Sequence, residues 1–383
     1  QSLINNLVIM KYLFEFAEYS QPAANGSSFG VLGDLGKDSK FGEQTNYFKS
    51  LMQEASARGL DAFIFTEFSP SGVTGWQLTG NDWTQVDRPL PTVFYDRSFR
   101  KKKGAGKTSN TRALCQLGCT PINSPDFRKL ALDKHLMYES LAQDQIDGLG
   151  VPYTEKFNEA RLISFLEKFP SAIIKPRFGS GGHGIVKATK TGTDYVLNYK
   201  DQSVSCQAHE LPAKLNEIRT KLNSAKRLYI IQECIDLPKY NNGVFDIRVI
   251  YQRGKTGSPL RTGMAVRLAA PNKVTANLHQ GGSRETLGSV LKDLFNQDIN
   301  GPIAESIRKF SKQVFDQLDS KVGPIGEVGI DFLIDQAGKI HLVEVNSVPG
   351  RNLFHILPDI RQTAIKRPVE YAQYLLEKQK KPQ

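Results

Sequence analysis

Two acidic stretches, Val328–Asp335 (VGIDFLID) and Lys339–Asn346 (KIHLVEVN), are separated only by Gln336-Ala337-Gly338. Two strand-like runs joined by a short glycine-containing turn read as an antiparallel hairpin. With a two-residue turn at Ala337-Gly338, or a four-residue one over Gln336–Lys339, Asp331 falls directly opposite Glu344, and Asn346 lies two positions further along the same face. A three-residue loop would break that register. Like charges directly across a strand pair repel, so two carboxylates and an amide oxygen on one side of a sheet call for a cation. Hard oxygen donors in that number suit Mg²⁺ shared with phosphates. Taken alone, the pattern also fits an amphipathic hairpin with solvated acids.

The chain has 383 residues, enough for two or three packed units, and its 39% hydrophobic and 23% charged fractions are those of a globular protein without low-complexity tracts. The formal charge of +11 raises the possibility of a nucleic-acid partner, but basic residues are spread along the sequence and no recognition module is present. The one cluster, Arg97–Lys103 (RSFRKKK), reads as a solvated loop, and small anionic ligands would use the charge equally well. Cys115, Cys119, Cys206 and Cys234 lack the spacing of a zinc site and the density of a disulfide scaffold, which fits free thiols in a reducing compartment. The apolar stretch Leu7–Phe16 is interrupted by Lys11 and Glu15, so neither a signal peptide nor a membrane span is expected. A cytoplasmic location follows.

The first third reads as α/β. Phe29–Gly33 and Ala62–Phe65 are apolar strands around Glu43–Arg58, which carries Tyr47, Leu51, Met52 and Ala55 at helical spacing, and Thr92–Tyr95 is a third strand. A boundary is expected near Pro121–Pro125, dividing residues 1–123 from 124–383, with a further division between 232 and 233. Leu130–Ala142 then reads as one helix with Lys134 in an early turn. Strands follow at Ala172–Pro176, Gly184–Thr189, Leu228–Glu233, Phe245–Gln252 and Thr262–Leu268, and helices at Ala304–Leu318 and Pro368–Lys378.

Two glycine-rich stretches compete for phosphate. Gly104–Thr108 (GAGKT) resembles the end of a P-loop, but the first glycine of that motif would fall at Lys101 and no strand leads in. Gly179-Ser180-Gly181-Gly182-His183-Gly184 lies between two strands, so it is a hairpin lid whose backbone amides can fold around phosphate oxygens. Lys175 sits in the strand entering that lid, flanked by Ile173, Ile174 and Pro176. Burial there favours an anionic partner such as a nucleotide phosphate, the alternative being a strand-edge lysine reaching water.

In order, these pieces resemble the ATP-grasp superfamily: a helix lysine, a strand lysine, a glycine lid, a strand ending in Gln-Glu, and a final Asp…Glu-x-Asn. The segments Phe245-Asp246-Ile247-Arg248-Val249, Asn277–Gly282 (NLHQGG) and Glu344–Gly350 (EVNSVPG) are similar to the glutamate-ligating branch, and within it to the YheC/YheD-type, endospore coat-associated group. The resemblance covers about Ser124 to Gly350. It implies an α+β ATP-grasp fold preceded by a small Rossmann-like α/β domain. By position it implies that Lys134 and Lys175 hold the α- and β-phosphates under the 179–184 lid, and that Gln232-Glu233-Cys234-Ile235 is the hinge that reads adenine. Asn277 joins the nucleotide contacts. Asp331, Glu344 and Asn346 would hold the metal, two Mg²⁺ with Mn²⁺ as a substitute, and Arg267, assisted by Arg248, would neutralise the transferred phosphoryl group. His183 and His279 would shape loops. The activity implied is ATP-dependent ligation of a carboxylic acid or peptide carboxylate to an amine, or to a thiol, through an acyl phosphate. The alternatives are a phosphotransferase or an ATP-binding assembly protein that ligates nothing. Implied partners are small molecules or a protein tail, with no nucleic acid or membrane, and a homodimer is compatible with the pattern. Arg351 departs from the small or apolar residue usual after Asn-Ser-x-Pro-Gly, so the substrate is not inherited.

Overall fold

Three sheets follow one another along the chain in sequence order. The computed structural model describes residues 27–37, 40–100, 102, 105, 108–179, 181–270 and 281–380. Ser180, Asn277, His279, the 7–16 stretch and most of the 104–108 glycine stretch lie outside the described residues.

The first sheet contains β1 (Ser28–Leu32), β2 (Asp61–Ser69), β3 (Gly72–Thr79), β4 (Asp82–Arg88), β5 (Val93–Asp96) and β6 (Thr120–Pro121), in the order β4-β3-β2-β1-β5-β6. Helix α1 (Thr45–Ala57) connects β1 to the parallel β2 and buries Phe48, Leu51, Met52 and Ala55, as the helical spacing requires. A Cβ at Gly33 would fall 2.5 Å from the Phe48 ring, so the strand must end on glycine for the helix to lie this close. The β2–β3–β4 meander was not among the sequence expectations, although Val73, Trp76 and the positive-φ Gly80 mark it. A short helix, α2 (Asn110–Gln116), precedes β6.

The single helix expected over Leu130–Ala142 is two, α3 (Pro125–Leu132) and α4 (Lys134–Gln143). Asp133 breaks it in an extended conformation, and its carboxylate accepts the amides of His135 (3.1 Å) and Leu136 (3.3 Å) as an N-cap. The same carboxylate takes both arms of Arg177, each at 2.6 Å, so the break is fixed to the strand that leads into the glycine lid. Lys134 therefore opens its helix.

The second sheet is antiparallel, in the order β11-β10-β9-β8-β12-β7. Its strands are β7 (Thr154–Lys156), β8 (Ser171–Pro176), β9 (Val186–Thr191), β10 (Asp194–Tyr199), β11 (Gln202–Gln207) and β12 (Tyr229–Glu233), with α5 (Leu162–Lys168) and α6 (Leu211–Lys221) packed on one face. The third sheet, also antiparallel, runs β15-β14-β13-β16-β17. It contains β13 (Phe245–Arg253), β14 (Pro259–Leu268), β15 (Ser283–Glu285), β16 (Glu327–Ile334) and β17 (Ile340–Asn346), with α7 (Leu287–Phe295), α8 (Pro302–Val322) and α9 (Pro358–Lys380). Alternation sorts its faces: Phe245, Ile247, Val249 and Tyr251 join the core with α8, which leaves Asp246, Arg248 and Gln252 on the other side. Helix α9 starts ten residues before the Pro368 expected to open it, and that proline is buried inside.

The hairpin contradicts its expected turn and keeps its expected register. Asp335 N bonds Lys339 O and Gly338 N bonds Asp335 O, both at 3.0 Å, which makes Gln336-Ala337-Gly338 a three-residue loop with Gly338 at φ +84°. That loop alone would set Asp331 against Val343. A β-bulge beyond Phe332↔Leu342 absorbs one residue of β17, and Asp331 faces Glu344, with Gly329 facing Asn346.

Candidate functional site

The second and third sheets and the loops of the first enclose a cleft of about 1080 Å³. Its lining includes Lys134, Lys175, Gly179, Gly181, Gly182, His183, Gln232, Glu233, Cys234, Ile235, Arg248, Arg267, Asp331, Glu344 and Asn346. Gly184 is turned away: its carbonyl accepts the Tyr229 hydroxyl at 3.0 Å, and a Cβ there would crowd Tyr229 and Pro176.

Charge alternates across the cleft floor. Arg248 grips Asp331 with two bonds of 2.7 and 2.6 Å, and Arg267 adds a third at 2.8 Å while holding Asp246 at 2.6 and 2.8 Å. Burial alone would raise the Asp331 carboxyl, but the two guanidiniums overcome it and hold the group at about 2. Asp246 is the opposite case: burial, with Asp331 nearby, outweighs Arg267 and lifts it to about 6. The repulsion expected between Asp331 and Glu344 is thus met by side-chain cations. Glu344 pairs with Lys134 at 3.1 Å, and although burial opposes it, Lys134 and Lys175 keep this carboxyl below its ordinary value.

Lys175 is buried, as its apolar flanks required. Its ammonium donates to Gln232 Oε1 (2.8 Å) and approaches the Tyr138 hydroxyl (3.3 Å). Gln232 is fixed in turn by Thr154 (2.8 Å). Burial lowers the Lys175 amine to about 8, with Glu344 acting the other way. Lys134 also donates to the Gly179 carbonyl at the start of the lid, where the glycines 179, 181, 182 and 184 all have positive φ. In the Gln232–Ile235 segment, expected to be the adenine hinge, the amides of Glu233 and Cys234 are spent on Tyr153 O (2.9 Å) and Ser171 O (3.0 Å). A base read through backbone N–H would therefore meet Ile235.

The donor set fits a hard cation. Asp331 Oδ1 accepts a single bond, Glu344 Oε2 has no hydrogen-bond partner among the described residues, and Asn346 lies beside Asp331 at 3.2 Å. Two carboxylates and an amide suit Mg²⁺ that completes its shell with phosphate oxygens. Among the described residues no group of three or more His, Cys, Asp or Glu side chains is arranged for a metal.

A model of the YheC/D-like ATP-grasp family matches residues 123–375. The chain belongs to that family. The endospore coat-associated protein YheD of Bacillus subtilis is 27% identical over 350 residues, covering 88% of this chain and 76% of the relative. A tetrahydromethanopterin:alpha-L-glutamate ligase from Methanocaldococcus jannaschii is 27% identical over 234 residues, 60% of this chain and 62% of that one. Among solved structures, D-alanyl-alanine synthetase A from Vibrio cholerae superposes with a TM-score of 0.60 at 12% identity, covering 93% of this chain and 98% of that one. At that identity the match shows the ATP-grasp fold alone.

Sequence reasoning missed part of this family member's cleft. The Arg97–Lys103 cluster is not simply a solvated loop: Arg97 is 3% exposed and lines the cleft, Ser98 is buried, and Lys102 pairs with Asp34 at 2.5 Å. Lys101 and Lys103 lie outside the described residues. Arg351 is likewise buried, with Glu327 and Tyr95 as partners. Tyr138, on α4, was also passed over; helical spacing from Lys134 places it one turn on, and that was the available signal.

Proposed function

We propose that the protein is an ATP- and Mg²⁺-dependent ligase that joins a carboxylate to an amine through an acyl phosphate, forming a peptide-type amide. The observation that carries this reading is the convergence of Lys134, Lys175, Arg248 and Arg267 on the paired carboxylates Asp331 and Glu344 in one cleft. The substrate carboxylate oxygen attacks the γ-phosphorus, the bond to the bridging oxygen breaks and ADP leaves. The amine then attacks the acyl carbon, phosphate departs and the amine loses a proton. Phosphoryl transfer needs spread negative charge to be neutralised and aligned. Lys175 and Arg267 supply fixed positive charge, and Tyr138 and Gln232 hold the Lys175 amine in place. Asp331, Glu344 and Asn346 would hold Mg²⁺, which supplies Lewis acidity toward the phosphate oxygens. The glycine lid excludes water from the acyl phosphate. The name of the glutamate ligase relative supports an acid and amine pair as substrates.

The test is ADP release across a panel of acids and amines. Lys175→Ala should lower it at least about 100-fold with the circular dichroism spectrum retained, and unchanged ATP consumption would discard the assignment.

One observation favours the other reading, an ATP-binding assembly protein of the kind the coat-associated relative's name suggests. Both oxygens of Asp331 are already engaged by arginine, so the floor is charge-balanced by side chains. Nucleotide binding with no turnover of any substrate pair would select it.

A further inference from the structure

We propose that the end of the cleft bounded by Arg97 and Arg351 is a subsite for the free carboxylate of an oligopeptide acceptor. Arg97 and Arg351 are 3% and 6% exposed, both line the cleft, and both turn to one carboxylate, the fully buried Glu327. That carboxylate is saturated. Its Oε1 takes the Tyr95 hydroxyl (2.5 Å) and Arg97 Nη1 (3.3 Å), and its Oε2 takes Gln252 (2.7 Å) and Arg351. Tyr95 adds no charge, because burial pushes its phenol up and keeps it protonated. Two guanidiniums against one carboxylate leave a positive charge in excess, which is costly to bury unless an anion joins it.

Two donors are left over for that anion. Arg97 Nη2 makes no hydrogen bond to a described residue. The Tyr47 hydroxyl oxygen is buried and makes no hydrogen bond of normal geometry among the described residues, and its ring lies 5.3 Å from the Arg97 guanidinium and 4.2 Å from that of Arg351. Tyr95 interacts with the Tyr47 hydroxyl, but its oxygen already takes Arg97 (3.4 Å) and Arg351 (2.9 Å), so the Tyr47 proton is not held there in a full hydrogen bond. A planar carboxylate arriving through the cleft meets a guanidinium edge and a phenol proton together.

Position sets the length of the ligand. Glu327 and Asp331 lie on the same face of β16, about 13 Å apart at ~3.3 Å per residue. An extended chain gains roughly 3.3–3.6 Å per residue, so an amine at the Asp331 end and a carboxylate at the arginine end belong to a peptide of about four residues. Leu35 and Phe99, 52% and 67% exposed, line the same end and offer apolar contact to its side chains. The length rests on the ligase reading, which puts the reacting amine near Asp331; the anion site itself does not.

The experiment is native mass spectrometry of the full chain with ADP and Mg²⁺, exposed to randomised tetrapeptides with free C-terminal carboxylates, to the same mixture as C-terminal amides, and to free amino acids. Acids should be retained at least tenfold over amides and over amino acids. Tyr47→Phe keeps the ring beneath the arginines and should lower acid retention about tenfold while ADP retention is unchanged; Arg97→Gln serves as a second variant, scored only if its melting temperature is retained. Equal retention of acids and amides, stronger capture of free amino acids, or an unaffected Tyr47→Phe protein would overturn the subsite. ATP consumption with the same mixtures separates the two claims. Retention of peptide acids without turnover leaves the subsite and removes the ligase, whereas turnover with amides as good as acids does the reverse.

Discussion

Lys175 carries its charge only conditionally. Its amine is held near 8 by burial, so on the proposed ligase reading nucleotide affinity should weaken as pH rises through about 8, where the ammonium that would face the phosphates is lost. Titration calorimetry of ADP at pH 7, 8 and 9 checks this, and Lys175→Met should be weak and flat across the range. Stability has the opposite slope: between about 8 and the ordinary lysine value the unfolded chain binds more protons than the folded one, so stability rises with pH there. Asp331 differs in kind, because its low pKa reports two arginines that depend on it. Asp331→Asn leaves Arg248 bonded to an amide and Arg267 with Asp246 alone. The expected loss is about 3–5 kcal/mol, as for breaking a buried ion pair, read as a lower urea midpoint. The contribution of Asp331 is complete above its unfolded value near 4 and disappears as pH falls through about 2.

The hairpin places those groups, and its loop depends on a left-handed residue. Gly338→Ala forces φ +84° on an L side chain whose Cβ would lie 3.3 Å from Ile303. A loss of about 1–2 kcal/mol is expected, with ADP affinity retained if the bulge holds register; denaturant unfolding and calorimetry together test both halves. At this scale the sequence was most legible where periodicity is local. Strands β13, β16 and β17 fall within about two residues of their expected bounds, because short apolar runs closed by turn residues mark buried strands in the local sequence. The bulge was not legible: Val343 looks like any strand valine, and only its partners Phe332 and Asp331 reveal that β17 has a residue to spare. The break at Asp133 was hidden because the apolar period continues through it. Arg97 was misjudged for a related reason, since the carboxylate that buries it lies 230 positions away. Which lysines and arginines face the acids could be proposed from motif order, but their bonding required the register of three strands at once.

On the scale of the whole molecule, Glu327 joins the first sheet to the third. Tyr95 reaches it from β5, Arg97 from the residue after that strand, Gln252 from β13 and Arg351 from the loop after β17. Glu327→Gln leaves two buried guanidiniums without a carboxylate, and a loss of about 3–5 kcal/mol is expected, measured as a shift in denaturant midpoint at unchanged slope. Helix α9 makes a second bridge. Its Val369, Tyr371, Ala372 and Leu376 complete the cluster formed by Phe29, Val31, Phe48 and Val93, and Glu370 pairs at 2.9 Å with Arg58, 312 positions earlier. During synthesis that sheet leaves the ribosome long before the helix that finishes it. Its nascent form carries a bare oily flank through most of translation, the kind of transiently exposed apolar surface that chaperones shelter.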